Sequence, residues 1–311
     1  MTNQRQTLSY LRNLFDERGL EPKGKLGQNF LIDLNLLDVM LQAAGLTKDD
    51  IVIEVGTGTG SLTARLAQEA GAVLGVEIDP AFFELTREAT ESYRNVFLLH
   101  EDALKGKNEL HPRLLGALQE VSRRTNCEPG AEPPCRLKLV ANLPYAIATP
   151  VIANLLLTGL PIECMVVTVQ WEIAERLVAH PGIKDYGALS VLVQSVADVE
   201  ILRRLPPAVF WPRPQVASAF VLIKPNAAKR LRVGDVVQFR SFLRDLYVHR
   251  RKKLRGALAG MPGSRRSKED VDRRLAALGI DGSARAETLD VEHHLRLCAA
   301  FAESAPSGLG T

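Results

Sequence analysis

Four consecutive residues, Asn142-Leu143-Pro144-Tyr145, combine an amide side chain, a proline-constrained backbone and an aromatic ring. The Asn142 side-chain oxygen and the Pro144 backbone carbonyl can each accept one hydrogen from a planar exocyclic amine, while Tyr145 stacks on the ring that carries it. The lone pair of such an amine is delocalised into its ring, so the nitrogen is a poor nucleophile. Two acceptors pull it toward a pyramidal form, and positioning and electrostatics then stand in for a strong base. Adenine fits this description, and enzymes acting on extruded bases commonly stack them. The bland alternative is a turn that starts a helix. Position argues against it, because the four residues end the apolar run 137–141. Downstream, VFWPRPQVASAFV (209–221) offers Phe210 as a second ring for the other face of the base. For Phe210 the competing reading is ordinary core packing.

A methyl donor is signalled upstream. IVIEVGTGTG (51–60) reads as a strand running into a glycine turn, and ligands of open α/β sheets bind beyond the carboxyl ends of the strands. Gly56, Gly58 and Gly60 allow a tight turn and close backbone approach. The same pattern also occurs in nucleotide-phosphate binders. The next strand ends in GVEIDP, where Glu77 can accept from both hydroxyls of a ribose, as suits NAD or S-adenosylmethionine. The third ends at Asp102, an acceptor for an adenine amino group. Two acidic strand ends without a Lys-Ser/Thr pair in the glycine loop favour S-adenosylmethionine over ATP.

The elements that must position these groups alternate. Strands are expected at 51–55, 72–78, 96–100, 137–141, 164–170, 196–202 and 218–223. Helices are expected at 62–70, from Pro80 to about Glu91, near 113–123, at 149–157 and at 172–179. This alternation predicts an α/β fold with a mostly parallel sheet and helices on both faces. Helices at 7–18 and 34–44 precede it, the second capped by Asp33, with 24–31 a plain loop between them. Past Asn226 the pattern turns helical, at roughly 235–260, 268–278 and 290–303, and 304–311 is expected to be a disordered tail.

Net charge is only +3, yet residues 224–274 hold 16 Lys or Arg against 5 Asp or Glu, while the rest holds 23 against 31. That asymmetry, with the run Arg250-Arg251-Lys252-Lys253, points to a polyanion binder joined to a catalytic body. No apolar stretch reaches the roughly 18 residues of a membrane helix. The N-terminus has neither a secretory core nor a transit pattern, so a cytoplasmic address is expected. Cys127, Cys135, Cys164 and Cys298 lack metal-binding spacing, so four reduced thiols and no metal site are expected, the alternative of a disulfide or metal site being open only to Cys127 and Cys135.

Together the motifs resemble the KsgA-type ribosomal RNA adenine N6,N6-dimethyltransferases, which share a fold with the Erm methyltransferases. The resemblance runs through KGKLGQNFLID (23–33), VIEVGTGTGSLT (52–63), GVEIDP (75–80), EDAL (101–104), NLPYAIATP (142–150), YGALSVLVQ (186–194) and FWPRPQVASAFV (210–221). It continues through HRRKKLRGAL (249–258) and GIDGSARAETLDVEHH (279–294). It implies a class I, Rossmann-like methyltransferase domain (1–225) and a small helical, basic RNA-binding domain (226–303). The implied activity dimethylates N6 of two adjacent adenosines in the 3′-terminal hairpin of 16S rRNA, converting S-adenosylmethionine to S-adenosylhomocysteine, in a monomeric enzyme active in small-subunit biogenesis. It further implies that Asn29 and Leu31 touch the cofactor. Gly56 would lie against its methionine part, Glu77 on the ribose, Asp102 on the adenine and Asn142 near the methyl group, with Tyr145 and Phe210 flanking the base. The chain departs from the family pattern at Ala146, Ala148, Trp171, Gln215 and Ala217, and residues 105–136 look longer than usual. The competing functions are Erm-type methylation of 23S rRNA, an assembly factor whose methylation is secondary, and a DNA adenine methyltransferase.

Overall fold

In the computed structural model, residues 7–24, 27–107, 109–125, 136–262 and 266–301 are described. The segment around Pro129–Pro134, Cys127, Cys135 and the expected tail lie outside them. Helix α1 (Leu8–Arg18) is capped by Thr7 and stopped by Gly19 in the left-handed region. Strand β1 (Phe30–Leu31) follows, then α2 (Leu34–Ala44), whose first turn is capped by the Asp33 carboxylate at 3.1 Å from Asn35 N. Within the stretch expected to be a plain loop, Phe30–Leu31 therefore form a strand.

The Rossmann-like core continues with β2 (Asp50–Val55), α3 (Ser61–Glu69), β3 (Ala72–Glu77), α4 (Pro80–Ala89) and β4 (Val96–His100). A hairpin, β5 (Leu104–Gly106) and β6 (Glu109–Leu110), leads to α5 (Pro112–Arg124), then β7 (Arg136–Ala141), α6 (Tyr145–Leu157) and β8 (Ile162–Gln170). Next come α7 (Trp171–Val178), α8 (Ala188–Gln194), β9 (Ala197–Leu205), β10 (Phe210–Trp211) and β11 (Ser218–Pro225). The main sheet has the order β4-β3-β2-β7-β8-β11-β9. The first five strands pair in parallel, and β11 runs antiparallel to β8. β2 and β3 are buried at every residue, as strands covered on both faces must be. The chain steps outward from β2 to β4 and then returns to β7 on the other side of β2. That reversal opens a crevice at the carboxyl ends of β2 and β7.

The chain divides into two compact units, residues 1–174 with 199–225, and 175–198 with 226–311. A single break at 225 therefore misses one exchange, because 175–198 belongs with the C-terminal residues. The second unit holds α8 together with α9 (Ala227–Val233), α10 (Val236–Tyr247), α11 (Leu254–Ala259), α12 (Lys268–Leu278) and α13 (Val291–Phe301). Its centre is the buried His294. The ring's Nδ1 donates to Asp290 O at 2.7 Å, which leaves Nε2 to accept from the Tyr247 hydroxyl at 3.2 Å. Tyr186 packs edge-on against the same ring. The expected helix over 235–260 is two helices. Arg250-Arg251-Lys252-Lys253 form the turn between them, where Arg250 is held by Glu287 at 2.8 Å and by the Lys184 carbonyl, and the other three are exposed.

Candidate active site

Glycine conformations build the first wall of the crevice. Gly56 follows β2 at φ +81°, and a Cβ there would sit 3.0 Å from the Pro144 ring, so the glycine turn and the segment after β7 are in direct contact. Gly27 (φ +66°) approaches the start of α6 in the same way, 3.1 Å from Tyr145 N. The strap 27–31 is fixed from two further sides. Ile32 N donates to Val209 O at 2.9 Å as β1 pairs with β10, and Lys23 Nζ reaches the Asp79 carboxylate at 2.7 Å.

A cavity of about 190 Å³ opens between these walls. It brings together Asn29, Leu31, Gly56, Glu77, Asp102, Asn142 and Pro144, which lie on five separate stretches of chain. The Glu77 carboxylate accepts from Gly58 N at 2.9 Å and from Asp79 N at 3.0 Å, one bond on each oxygen. Burial raises its pKa, and those two N–H groups work against the rise. One oxygen of Asp102 accepts from Leu104 N at 2.9 Å.

Asn142 Nδ2 donates to the Asn29 carbonyl at 2.8 Å. A carbonyl can only accept, so this bond fixes which end of the amide faces the strap and leaves Oδ1 as the acceptor at the other end. Tyr145 does not line the cavity. Its hydroxyl lies 2.6 Å from Ser218 Oγ at the start of β11, which holds the ring in place, and burial raises its pKa.

Two expected groups are placed otherwise. The Pro144 carbonyl accepts from Ile147 N at 3.0 Å, because it closes the first turn of α6. No described group donates to the Leu143 carbonyl, one residue earlier. Phe210 is absent from the cavity wall. It is 3% exposed and packed in the core with Leu31, Leu36 and Phe220. Side chains alternate along a strand, so β10 sends Phe210 into one core and Trp211 into another, against Phe15 and Phe30.

The sequence reading passed over Gly27, Gln28, Glu54 and Ser218. Glu54, on β2, is 2% exposed and lines the cavity; its Oε2 has no partner among the described residues. Burial lifts its pKa well above the carboxylate range. A charged residue inside an apolar strand was the signal available for it. Among the described residues no group of His, Cys, Asp and Glu side chains is arranged to hold a metal.

The ribosomal RNA adenine dimethylase model matches residues 19–303. Ribosomal RNA small subunit methyltransferase A of Geobacillus thermodenitrificans is 39% identical over 274 residues, 88% of each chain. A dimethyladenosine transferase from Plasmodium falciparum superposes with a TM-score of 0.66 at 24% identity, over 85% of this chain and 94% of that one. The 23S rRNA methyltransferase ErmE gives 0.59 at 22%, over 88% and 100%. These two structures share the fold, and the sequence match over most of the chain assigns the kind: this protein belongs to the ribosomal RNA adenine dimethylase family.

Proposed function

We propose that the protein is a small-subunit ribosomal RNA methyltransferase that dimethylates N6 of two adjacent adenosines in the 3′-terminal hairpin of 16S rRNA, acting in the cytoplasm as a monomer during subunit biogenesis. The observation that carries the chemistry is the Asn142 amide in the cavity wall, whose NH2 end is held by the Asn29 carbonyl so that its oxygen is left as the acceptor.

The cavity fits S-adenosylmethionine. The glycine turn and Pro144 pack directly against each other along its wall, and Glu54 Oε2 is a buried carboxyl oxygen without a partner among the described residues. Each Glu77 oxygen keeps a lone pair for a ribose hydroxyl, because a carboxylate oxygen has two and only one is used. When bound, the cofactor supplies an electrophilic methyl group on a sulfonium. Asp102 would accept from the cofactor's adenine, and Asn29, Leu31 and Gly56 would close around its other parts.

On the target side, Asn142 Oδ1 accepts one amino hydrogen. The second acceptor is the Leu143 carbonyl, to which no described group donates, whereas Pro144's already accepts from Ile147 N. Tyr145, anchored by Ser218, carries the base. Phe210 in its buried position does not complete a sandwich. The exposed Arg251, Lys252 and Lys253, in the C-terminal unit, supply contacts to the RNA backbone.

The test is methyl transfer from labelled S-adenosylmethionine to immature small subunits, with the modified bases mapped on each ribosomal RNA. Two neighbouring dimethyladenosines near the 3′ end of 16S rRNA are expected. Modification confined to 23S rRNA, or to naked duplex DNA, would overturn the reading.

A further inference from the structure

A surface feature lies where β8 ends and β11 begins. Gln170 is paired in register with Ser218, and Trp171, the next residue, donates its backbone N–H to Ala217 O at 2.9 Å. Ser218 is the residue that holds the Tyr145 hydroxyl. Trp171 therefore stands beside the anchor of the ring proposed to carry the target base.

The guanidinium of Arg204, from β9, lies over the Trp171 ring, 4.6 Å from its centroid. Arg18, Arg87 and Arg113 are held by Glu88, Glu84 and Glu101. Arg204 is exposed and has no hydrogen bond or ion pair to any described residue. Contact with an indole face restrains a guanidinium while leaving all five of its N–H donors unspent. A cation held in this way can stack a nucleobase on its open side and give N–H groups to a phosphate. Val216, 44% exposed and next to Ala217, adds apolar surface at the same edge.

We propose that Trp171 and Arg204 form a stacking platform for one unpaired nucleotide of the RNA substrate, the neighbour of the adenosine at Tyr145. The proposal rests on the function given above. When two adjacent adenosines are modified in turn, drawing one into the site strips its neighbour of a stacking partner, and the platform replaces that partner. Sequence is not read here, because stacking accepts every base.

The test compares wild type with Trp171→Ala, Trp171→Phe, Arg204→Ala and Arg204→Lys in steady-state methyl transfer to immature small subunits. S-Adenosylmethionine affinity measured by calorimetry serves as the folding control. Each Ala variant should raise KM for the subunit roughly 5- to 150-fold, the range for losing one stacked base, with kcat and cofactor affinity kept. Trp171→Phe should retain most of the affinity, and Arg204→Lys should not. A short oligoadenylate should quench tryptophan fluorescence in wild type but not in Trp171→Phe, while duplex RNA should leave it unchanged. Unchanged KM in both Ala variants, or an Arg204→Lys variant as tight as wild type, would overturn the platform. A wild-type enzyme inactive on small subunits would instead overturn the function beneath it.

Discussion

Replacing Asn142 by Asp changes one NH2 into an oxygen and little else. Asn142 Nδ2 donates to the Asn29 carbonyl at 2.8 Å, so the variant sets a carboxylate oxygen against that carbonyl. The lost bond is worth about 0.5–1.5 kcal/mol, and the two acceptors left facing each other cost about 1–3 kcal/mol more. The carboxylate must turn away or the strap must move, and either displaces the oxygen that receives the target amine. A total of about 1.5–4.5 kcal/mol corresponds to a roughly 10- to 2,000-fold loss in the methyl-transfer rate. The assay is single-turnover transfer of labelled methyl groups to immature small subunits at saturating cofactor. Asn142→Ala, which removes acceptor and donor together, should be at least as slow. Subunit binding by either variant should stay close to wild type. An Asn142→Asp enzyme within about threefold of wild type, a difference of less than 1 kcal/mol, would refute the argument that the Asn29 carbonyl orients the amide.

Gly56→Ala places a Cβ 3.0 Å from the Pro144 ring at a backbone φ of +81°. Left-handed strain costs about 1–2 kcal/mol, and the push on Pro144 disturbs the neighbouring Asn142, so a roughly 10- to 100-fold fall in kcat/KM is expected. Activity and melting temperature unchanged together would contradict the close approach. In the second unit, burial lowers the pKa of His294 from 6.5 to about 4, so the unfolded chain binds the extra proton first. Stability is therefore full above about pH 6.5 and lost as pH falls toward 4, by up to about 3 kcal/mol. Tyr247, Tyr186 and the Asp290 carbonyl face the ring; neither tyrosine titrates in that window, and both are raised by burial. His294→Gln should flatten this part of the unfolding profile measured by urea titration, and an unchanged slope would place the proton elsewhere.

The strands of the parallel sheet were legible because each is a short apolar run bounded by glycine or charge, and the Asp33 cap because its carboxylate precedes an apolar helix. The glycine turn, Glu77 and Asp102 sit at strand ends that the same pattern locates. What escaped the reading depends on partners far along the chain. β1 and β10 have two residues each, too few for any periodicity, and they exist only because 30–31 meets 210–211. The bond to the Pro144 carbonyl depends on α6 beginning at Tyr145, four residues earlier than the sequence pattern predicts, with Pro150 accommodated inside it. Phe210 looked like a site aromatic because a proline-rich turn follows it; the pleat of a two-residue strand decides otherwise. The exchange of 175–198 into the second unit leaves no compositional mark at either end.

The pairing of β1 with β10 also bears on when the protein becomes functional as it is made. About 180 residues separate the two partners, and closing so long a loop is entropically late and slow. The glycine turn, Glu77 and Asp102 are all synthesised within the first third of the chain. The strap that covers them acquires its strand partner only after Trp211 has left the ribosome. A chain stopped before that point can hold most of a parallel sheet, yet it lacks the fastening for 27–31. Completion of the donor pocket is thereby tied to synthesis of most of the methyltransferase core.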